Sequence, residues 1–440
     1  MVKAEGDLSS PQLYYYQEIS MSILEKKPQI TNKIIRKEID AKTILIDSEK
    51  PSWVTVSKSM ADLICKLDGS KTIEEIVKDT SNKVKKDVSH KLISGFKKLY
   101  KLGIIDDDNH NVSNQSQTLD QIYFNLTKKC NLRCVYCYAK ADMTNKLQEM
   151  PLKFWNDIVL QLKQLNPKAS ICFTGGEALL FKGFWELAES IRYNGLGLSL
   201  ITNGTVSNPK DALRFKSLFQ NIKISLDSLD ENTNSITRGA GSLRTAKKFI
   251  DALITESVKP TIMVVVTKAN AKQIAFFKTI FENKAIITYQ PMYVMGRALN
   301  DDRLGLTADE YYNALEATKI DKMKGDGEIK RNHKLLWCGM GRNVLSIESD
   351  GKVYPCQLLH NEKLKLGDLN YEGINTIWSK SPYRKNSVDD IEECCTCEIK
   401  HLCGAPCRAR AYFVTGNIFK KDPLCPDFIK RSHIGNMIKS

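Results

Sequence analysis

Apolar and polar positions along this chain follow two rhythms. Between residue 121 and about residue 294, short apolar runs of strand length recur at 122–126, 170–173, 198–201, 222–226, 262–266 and 286–289. Between them lie stretches with apolar residues at helical spacing, such as 154–165, 184–192 and 242–254. Regular alternation of strand and helix predicts a parallel sheet with helices outside it.

The chain before this region is patterned differently. Residues 43–46 and 53–56 read as short strands around a Pro51-Ser52 turn. Ser57 then opens a helix whose apolar face is Met60, Ile64 and Leu67, stopping at Asp68-Gly69. Thr72-Ile73-Glu74-Glu75 is a capping box that starts a second helix. A third carries Val88, Leu92, Phe96 and Leu99 on one face and ends at Gly103. Strands followed by three short helices predict a winged helix-turn-helix-like unit over residues 31–110, with polar residues 106–117 as a linker. Beyond the barrel-like region, a helix-like and then Lys/Gly-rich stretch spans about 307–330. Two strand-like runs, 344–347 and 352–354, then flank an Asp350-Gly351 turn and predict a hairpin.

Composition narrows the class. The 440 residues suffice for two or three domains, and 42% hydrophobic content is ordinary for a globular protein. No apolar run reaches membrane-spanning length, so no membrane is expected. The first twenty residues hold acids and tyrosines rather than a basic start and an apolar core, so no signal peptide is expected and the cytoplasm is the default location. There the 13 cysteines stay reduced and are expected to bind metal. The formal charge of +14 comes from lysines spread widely, with a local concentration from Lys78 to Lys101; without aromatic interleaving or zinc-finger spacing, nucleic acid is the minor expectation.

The chemistry concentrates in Cys130-Asn131-Leu132-Arg133-Cys134-Val135-Tyr136-Cys137, immediately after the first strand. Zinc and ordinary four-iron sites take four protein ligands. A set of three leaves one iron open to a ligand. Spacing alone leaves a zinc knuckle or a reduced core cluster as alternatives. Thr174-Gly175-Gly176-Glu177, Thr202-Asn203-Gly204 and Ser225-Leu226-Asp227 follow the next three strands, and Arg238 lies further on. In parallel α/β barrels, such strand ends hold the chemistry. The C-terminal part carries Cys338, Cys356, Cys394, Cys397, Cys403, Cys407 and Cys425, for which a double zinc site is the alternative reading. Cys65 and Cys172 are expected to be core thiols, and Cys395 is a spare.

The motif C-x3-C-x-aromatic-C resembles the signature of the radical S-adenosylmethionine (SAM) enzymes, and the later cysteines resemble the SPASM domain. The resemblance covers nearly the whole chain after residue 30. It implies an α/β fold: a partial (β/α)6 TIM-like barrel over 121–300, a bridging region over 301–337 and a cysteine-rich SPASM domain over 338–440. Leu67-Asp68-Gly69-x-x-Thr72-Ile73-x-x-Ile76 is similar to precursor-peptide recognition domains, which accept a leader peptide as an added strand. The resemblance implies a SAM-binding [4Fe-4S] cluster on Cys130, Cys134 and Cys137. It also implies two auxiliary [4Fe-4S] clusters, one on Cys338, Cys356 and Cys407 and one on Cys394, Cys397, Cys403 and Cys425. SAM would be held by Gly175, Gly176, Glu177, Thr202, Asn203, Ser225 and Arg238, with Tyr136 near adenine.

The implied reaction is hydrogen abstraction from a precursor peptide by a 5′-deoxyadenosyl radical, closing a thioether, ether or carbon–carbon cross-link. Epimerisation, decarboxylation or protein maturation is the alternative outcome, and a metal-containing winged-helix regulator is the alternative class. The expected partners are the precursor peptide and a reductant such as flavodoxin or ferredoxin. Sulfatase-maturing relatives carry a catalytic aspartate after the second SPASM cysteine. Here that residue is Gln357, which favours peptide modification.

Overall fold

The computed structural model describes residues 23–30, 34–39, 42–47, 53–107, 118–300, 303–318, 338–397, 400–404 and 407–425. Most of the expected linker, 108–117, and most of the Lys/Gly-rich stretch, 319–337, lie outside the described residues.

The N-terminal part runs β1 (Pro28–Ile30), β2 (Ile34–Ile39), β3 (Lys42–Asp47), β4 (Trp53–Ser57), α1 (Lys58–Ile64), α2 (Ile73–Val84), α3 (Ser89–Leu102) and β5 (Ile105–Asp107). Strands β2, β3 and β4 form an antiparallel sheet in that order, and β5 returns to pair with β1. Ser57 caps α1 by accepting the Met60 N–H, and Thr72 and Glu75 complete the capping box of α2. Leu45, Val54, Ile64, Ile73, Phe96 and Leu99 share one buried cluster, joined by Ile23 and Ile105 from either end of the unit. Strand β2 was not legible in sequence, because Arg36, Lys37 and Glu38 interrupt its isoleucines. That composition suits an edge strand, where charge discourages unwanted pairing. Cys65 corrects an expectation: it is the C-cap of α1 and is exposed, one position beyond buried Ile64.

Six parallel strands follow: β6 (Gln121–Thr127), β7 (Ser170–Gly175), β8 (Gly197–Thr202), β9 (Asn221–Ser225), β10 (Thr261–Val266) and β11 (Ile286–Pro291). The helices α4 (Leu152–Leu165), α5 (Phe184–Tyr193), α6 (Ala212–Leu218), α7 (Glu231–Arg238), α8 (Ser242–Thr255) and α9 (Ala275–Ile280) connect them. Side chains alternate between the two sheet faces with the two-residue period of a strand. Phe124, Ile171, Phe173, Leu198, Leu200, Ile222, Ile224, Ile262 and Val264 turn outward and are buried beneath helices. Their partners at alternate positions, including Tyr123, Thr174, Ile201, Lys223, Ser225, Met263 and Val265, line a cavity on the other face.

The sheet does not stop at β6. After α10 (Ala308–Ala317), strand β12 (Val344–Ile347) pairs parallel to β6, and β13 (Lys352–Tyr354) and β14 (Gly367–Asp368) extend it antiparallel. Nine strands therefore run in the order β11-β10-β9-β8-β7-β6-β12-β13-β14. Asn125 Nδ2 fastens the β6–β12 seam by donating to Ser346 Oγ at 2.8 Å and to Ile347 O at 2.9 Å. The β12–β13 hairpin turns at Gly351, whose φ of +90° suits a residue without a Cβ. Short helices complete the C-terminal part: α11 (Ile374–Ser379), α12 (Glu392–Cys395), α13 (Lys400–Cys403) and α14 (Arg408–Thr415).

Phe173 sits at the centre of this core, fully buried and in ring contact with Phe124, Phe184 and Phe219. Phe173→Ala should cost about 3–5 kcal/mol in urea unfolding. Tyr193→Ala, at a residue 92% exposed, should change it by no more than about 0.5 kcal/mol.

Candidate active site

A cavity of about 270 Å³ opens on the concave face of the six parallel strands, and Cys130, Cys134 and Cys137 all stand in its wall. The cysteine loop reaches it because β6 delivers the chain to that edge and Val135 N–H is tied to Thr237 O. Burial pushes the Cys130 thiol up to about 12, with Glu177, Cys134 and Cys137 acting in the same direction. Burial also raises Cys134, against the nearby Arg238 charge. Thiols so placed become thiolates when a metal takes the proton's position. Donors already face two of the sulfurs. Leu132 N–H lies 3.4 Å and Asn203 Nδ2 3.8 Å from Cys130 Sγ, and Arg238 Nη1 lies 4.0 Å from Cys134 Sγ. Hydrogen bonds to sulfur are a normal part of an iron–sulfur ligand shell. The three residues therefore fit a cluster.

Asp227, at the end of β9, organises the opposite wall. Its Oδ2 accepts hydrogen bonds from the Tyr136 hydroxyl and from Thr237 Oγ1 (2.7 Å), and its Oδ1 accepts from Val265 N–H (3.1 Å). Arg238 Nε lies 3.3 Å from Oδ2, an ion pair without the alignment of a hydrogen bond. Burial works against the Arg238 charge, but Tyr136 and Asp227 hold its pKa far above the ordinary value. Arg297 closes the loop by donating to Cys134 O and Ala141 O, both at 2.8 Å. The sequence placed Asp227 at a strand end without assigning it a role, and Arg297 did not stand out. The Ser-Leu-Asp run after a strand was the available signal for Asp227.

Tyr136, Gly175, Gly176, Thr202, Asn203, Ser225 and Arg238 all meet the same cavity. Glu177 does not. Its carboxylate accepts from Thr202 Oγ1 and Asn203 N–H, each at 2.8 Å, and so ties β7 to the end of β8. Burial raises its pKa, against those same hydrogen bonds. The paired glycines also have another reason than ligand approach. A Cβ on Gly175 would stand 2.4 Å from Thr127 O, and one on Gly176 2.2 Å from Lys129 O. They let β7 pass beneath the cysteine loop. Gln290, Tyr293, Gln357 and Leu358 complete the wall without having stood out as wall residues in sequence.

The C-terminal cysteines fall into two neighbourhoods. Burial raises Cys338 with Cys407 acting beside it, and raises Cys356 with Cys338 and Cys407 beside it. Burial raises Cys394 with Cys425 and Cys397 nearby, and Tyr312 feels both Cys425 and Cys403. Among the described residues, no three His, Cys, Asp or Glu side chains are gathered tightly enough to bind one ion. Sets of thiols spaced around a shared volume fit a multi-iron cluster, which takes one thiolate per iron. Cys407 is held by its N–H donating to Asp422 Oδ2 (2.9 Å), and Arg410 clasps that carboxylate with both Nε and Nη2. Cys395 lies in α12 rather than in extended chain, and its thiol donates to Glu392 O at 3.1 Å.

A second cavity of about 250 Å³ shares Tyr138, Gly175 and Leu358 with the first. In its wall, Glu348 pairs with Lys128 Nζ at 3.1 Å and His360 Nδ1 at 2.9 Å, while His360 Nε2 meets Ser346 Oγ at 2.8 Å. Burial acts to raise the Glu348 carboxyl, but His360, Lys128 and Ser349 N–H together hold it down to about 2.

Two measurements test these arrangements. Asp227→Asn leaves Arg238 a buried cation without its anion and should cost about 3–5 kcal/mol in urea unfolding. Glu348 carries a depressed pKa, so its stabilisation is present at neutral pH and is lost as pH falls from the ordinary value of 4.5 through about 2. Glu348→Gln should therefore be less stable at pH 7 and lose less on acidification through that window.

Known proteins share this architecture. Residues 124–278 match the Radical SAM superfamily and residues 338–408 match SPASM, an iron–sulfur cluster-binding domain. A mycofactocin maturase of Mycobacterium ulcerans is 27% identical over 68% of this chain and 86% of its own. An AdoMet-dependent heme synthase of Nitratidesulfovibrio vulgaris is 27% identical over 70% of this chain and 93% of its own. Among solved structures, Streptococcus suis SuiB bound to S-adenosylmethionine superposes with a TM-score of 0.54 at 14% identity, over 90% of this chain and 99% of that one. The structure of anSMEcpe with bound AdoMet gives 0.59 at 19% identity, over 73% and 98%. The six-stranded half-barrel with its three-cysteine loop and the cysteine-rich extension thus correspond to two known modules: this chain carries a Radical SAM domain over residues 124–278 and a SPASM domain over residues 338–408, and its cofactors are S-adenosylmethionine and [4Fe-4S] clusters.

Proposed function

We propose that this enzyme modifies a ribosomally made precursor peptide, closing an intramolecular thioether, ether or carbon–carbon cross-link. The observation that carries this reading is a shared wall. Gln357 and Leu358, directly after the SPASM cysteine Cys356, line the same cavity as Cys130, Cys134 and Cys137. A substrate in that cavity lies between the SAM-binding loop and an auxiliary-cluster ligand. When bound, the clusters and SAM supply a 5′-deoxyadenosyl radical and an electron acceptor, so a cross-link closes with the net loss of two hydrogens from the peptide.

The chain's own residues position the reactants. Ser225 and Arg238 suit the methionine carboxylate of SAM, which a guanidinium binds as a fork. The backbone at Gly175 and Gly176 suits its amino group, and the Tyr136 ring, fixed through its hydroxyl to Asp227, suits adenine. Thr202 and Asn203 complete this wall. Cys338, Cys356 and Cys407 suit the first auxiliary cluster, and Cys394, Cys397, Cys403 and Cys425 the second. Residues 31–110 suit the leader of the precursor: among the described residues β2 is the edge strand of its sheet, and α3 carries Lys97, Lys98 and Lys101. The relatives named for peptide maturation support a peptide substrate. So does a solved complex of SuiB with its precursor peptide SuiA. Flavodoxin or ferredoxin is the matching class of reductant.

Co-expression with any short peptide encoded beside the gene, followed by mass spectrometry, tests the reaction. A mass loss of two hydrogens confined to the peptide is expected; an unchanged mass, or conversion of a tetrapyrrole instead, overturns it. Replacing Cys130, Cys134 and Cys137 by alanine should abolish 5′-deoxyadenosine formation while the auxiliary iron remains. Leader binding to the full chain should weaken as salt rises if the leader is acidic. Tight duplex DNA binding without leader binding would point to a regulator instead.

A further inference from the structure

Three cations face the SAM cavity, and two of them already have partners. Arg238 is paired with Asp227, and Arg297 donates to two backbone carbonyls. The third is Lys223. It stands on β9 two residues before Ser225, on the inward face, between outward-facing Ile222 and Ile224. Its register neighbours are uncharged: Ile201 on β8 and Thr261 on β10. Burial pushes the Cys172 thiol up, and the Lys223 charge acts on it in the opposite direction. Among the described residues, Lys223 makes no ion pair, and no Asp or Glu lines the cavity. Lys223 is half-buried and its side chain meets the cavity, so its ammonium is a charge with no protein carboxylate facing the same space. Such a cation attracts a ligand that brings its own negative charge.

We propose that Lys223 docks a carboxylate carried by the substrate peptide and thereby selects which residue of the peptide enters the barrel. The inference rests on the peptide reading above and deepens it. The carboxylate is an acidic side chain or the free C-terminus, two sources with one chemistry. The lysine lies one inward position further along β9 from the strand end than Ser225. A peptide anchored there projects a neighbouring residue back toward Cys130, Cys134 and Cys137. Lys223 is a positioning residue in this scheme: it holds the substrate and exchanges no proton.

The test uses the anaerobic, iron-loaded full chain with SAM bound. Lys223 is reductively methylated with formaldehyde and quantified by mass spectrometry, in the presence of N-acetylglycine or its amide, N-acetylglycinamide. The carboxylate should slow labelling of Lys223 at least twofold relative to the amide, and SAM alone should not protect it. Equal labelling with both probes overturns the proposal; so does full protection by SAM alone, which would assign the lysine to the SAM carboxylate. This arm needs no substrate turnover, so its result stands whether or not the peptide reaction is found. Where a peptide is turned over, Lys223→Met should raise its KM at least tenfold with little change in kcat, and Lys223→Arg should restore part of it. Peptides with the C-terminus or one acidic side chain converted to the amide then identify the source: the form that loses its sensitivity to Lys223→Met carried the docked group. A Lys223→Met effect equal on every peptide form assigns the lysine a structural role and overturns the proposal.

Discussion

The buried carboxylate of Asp227 is the constraint on which the active cavity depends. It gathers a hydroxyl from the cysteine loop, a hydroxyl and a guanidinium from α7, and a backbone N–H from β10. Asn234 and Asn270 hold its own backbone by bonding its N–H and its carbonyl. Four groups from three segments, the cysteine loop, α7 and β10, therefore meet at one side chain. A buried charge is tolerated only when its lone pairs are filled in this way. Loss of any one donor would leave the others with an under-satisfied anion, so the cysteine loop and the cavity-lining residues Tyr136 and Arg238 hold their relative positions together.

Much of this was legible in the sequence, for physical reasons. The six barrel strands are buried under helices on one face, so each shows a run or alternation of apolar residues that propensity alone reads correctly. The capping box at Thr72 and the turn at Gly351 are local chemistry, and both formed as expected. The three cysteines reach one cavity because their spacing is short. What sequence did not reveal depends on distant partners. Strand β2 is an edge whose charges mask its pattern. The pairing of β12 with β6 joins the first barrel strand to a strand of the SPASM domain, and nothing local announces it. The family resemblance implies a ligand role for Glu177 within Thr174-Gly175-Gly176-Glu177; its carboxylate bonds at the β7–β8 junction. The glycines themselves are required by the overlying loop backbone.

Lys223 illustrates a different limit. In sequence it is one of many lysines, and its neighbours Ile222 and Ile224 mark only a strand. Its inward direction becomes visible once the sheet has sides, and its lack of an anion once the cavity wall is known. A charged residue at an inward strand position carries information that composition hides, because the cost of placing it there depends on what lies opposite.

The seam between β6 and β12 has a consequence for synthesis. Asn125 and Ser346, which bond across it, are 221 residues apart in the chain. At about 5–20 residues per second, that separation corresponds to roughly 10–45 s of translation. Throughout that interval β6 presents an unpaired parallel edge, and the cysteine loop beside it emerges before any SPASM cysteine has been made. Open edges of this kind are templates for association with other chains. The nascent chain therefore passes through a long stage in which this edge and the cysteine loop wait for the strand that completes the seam.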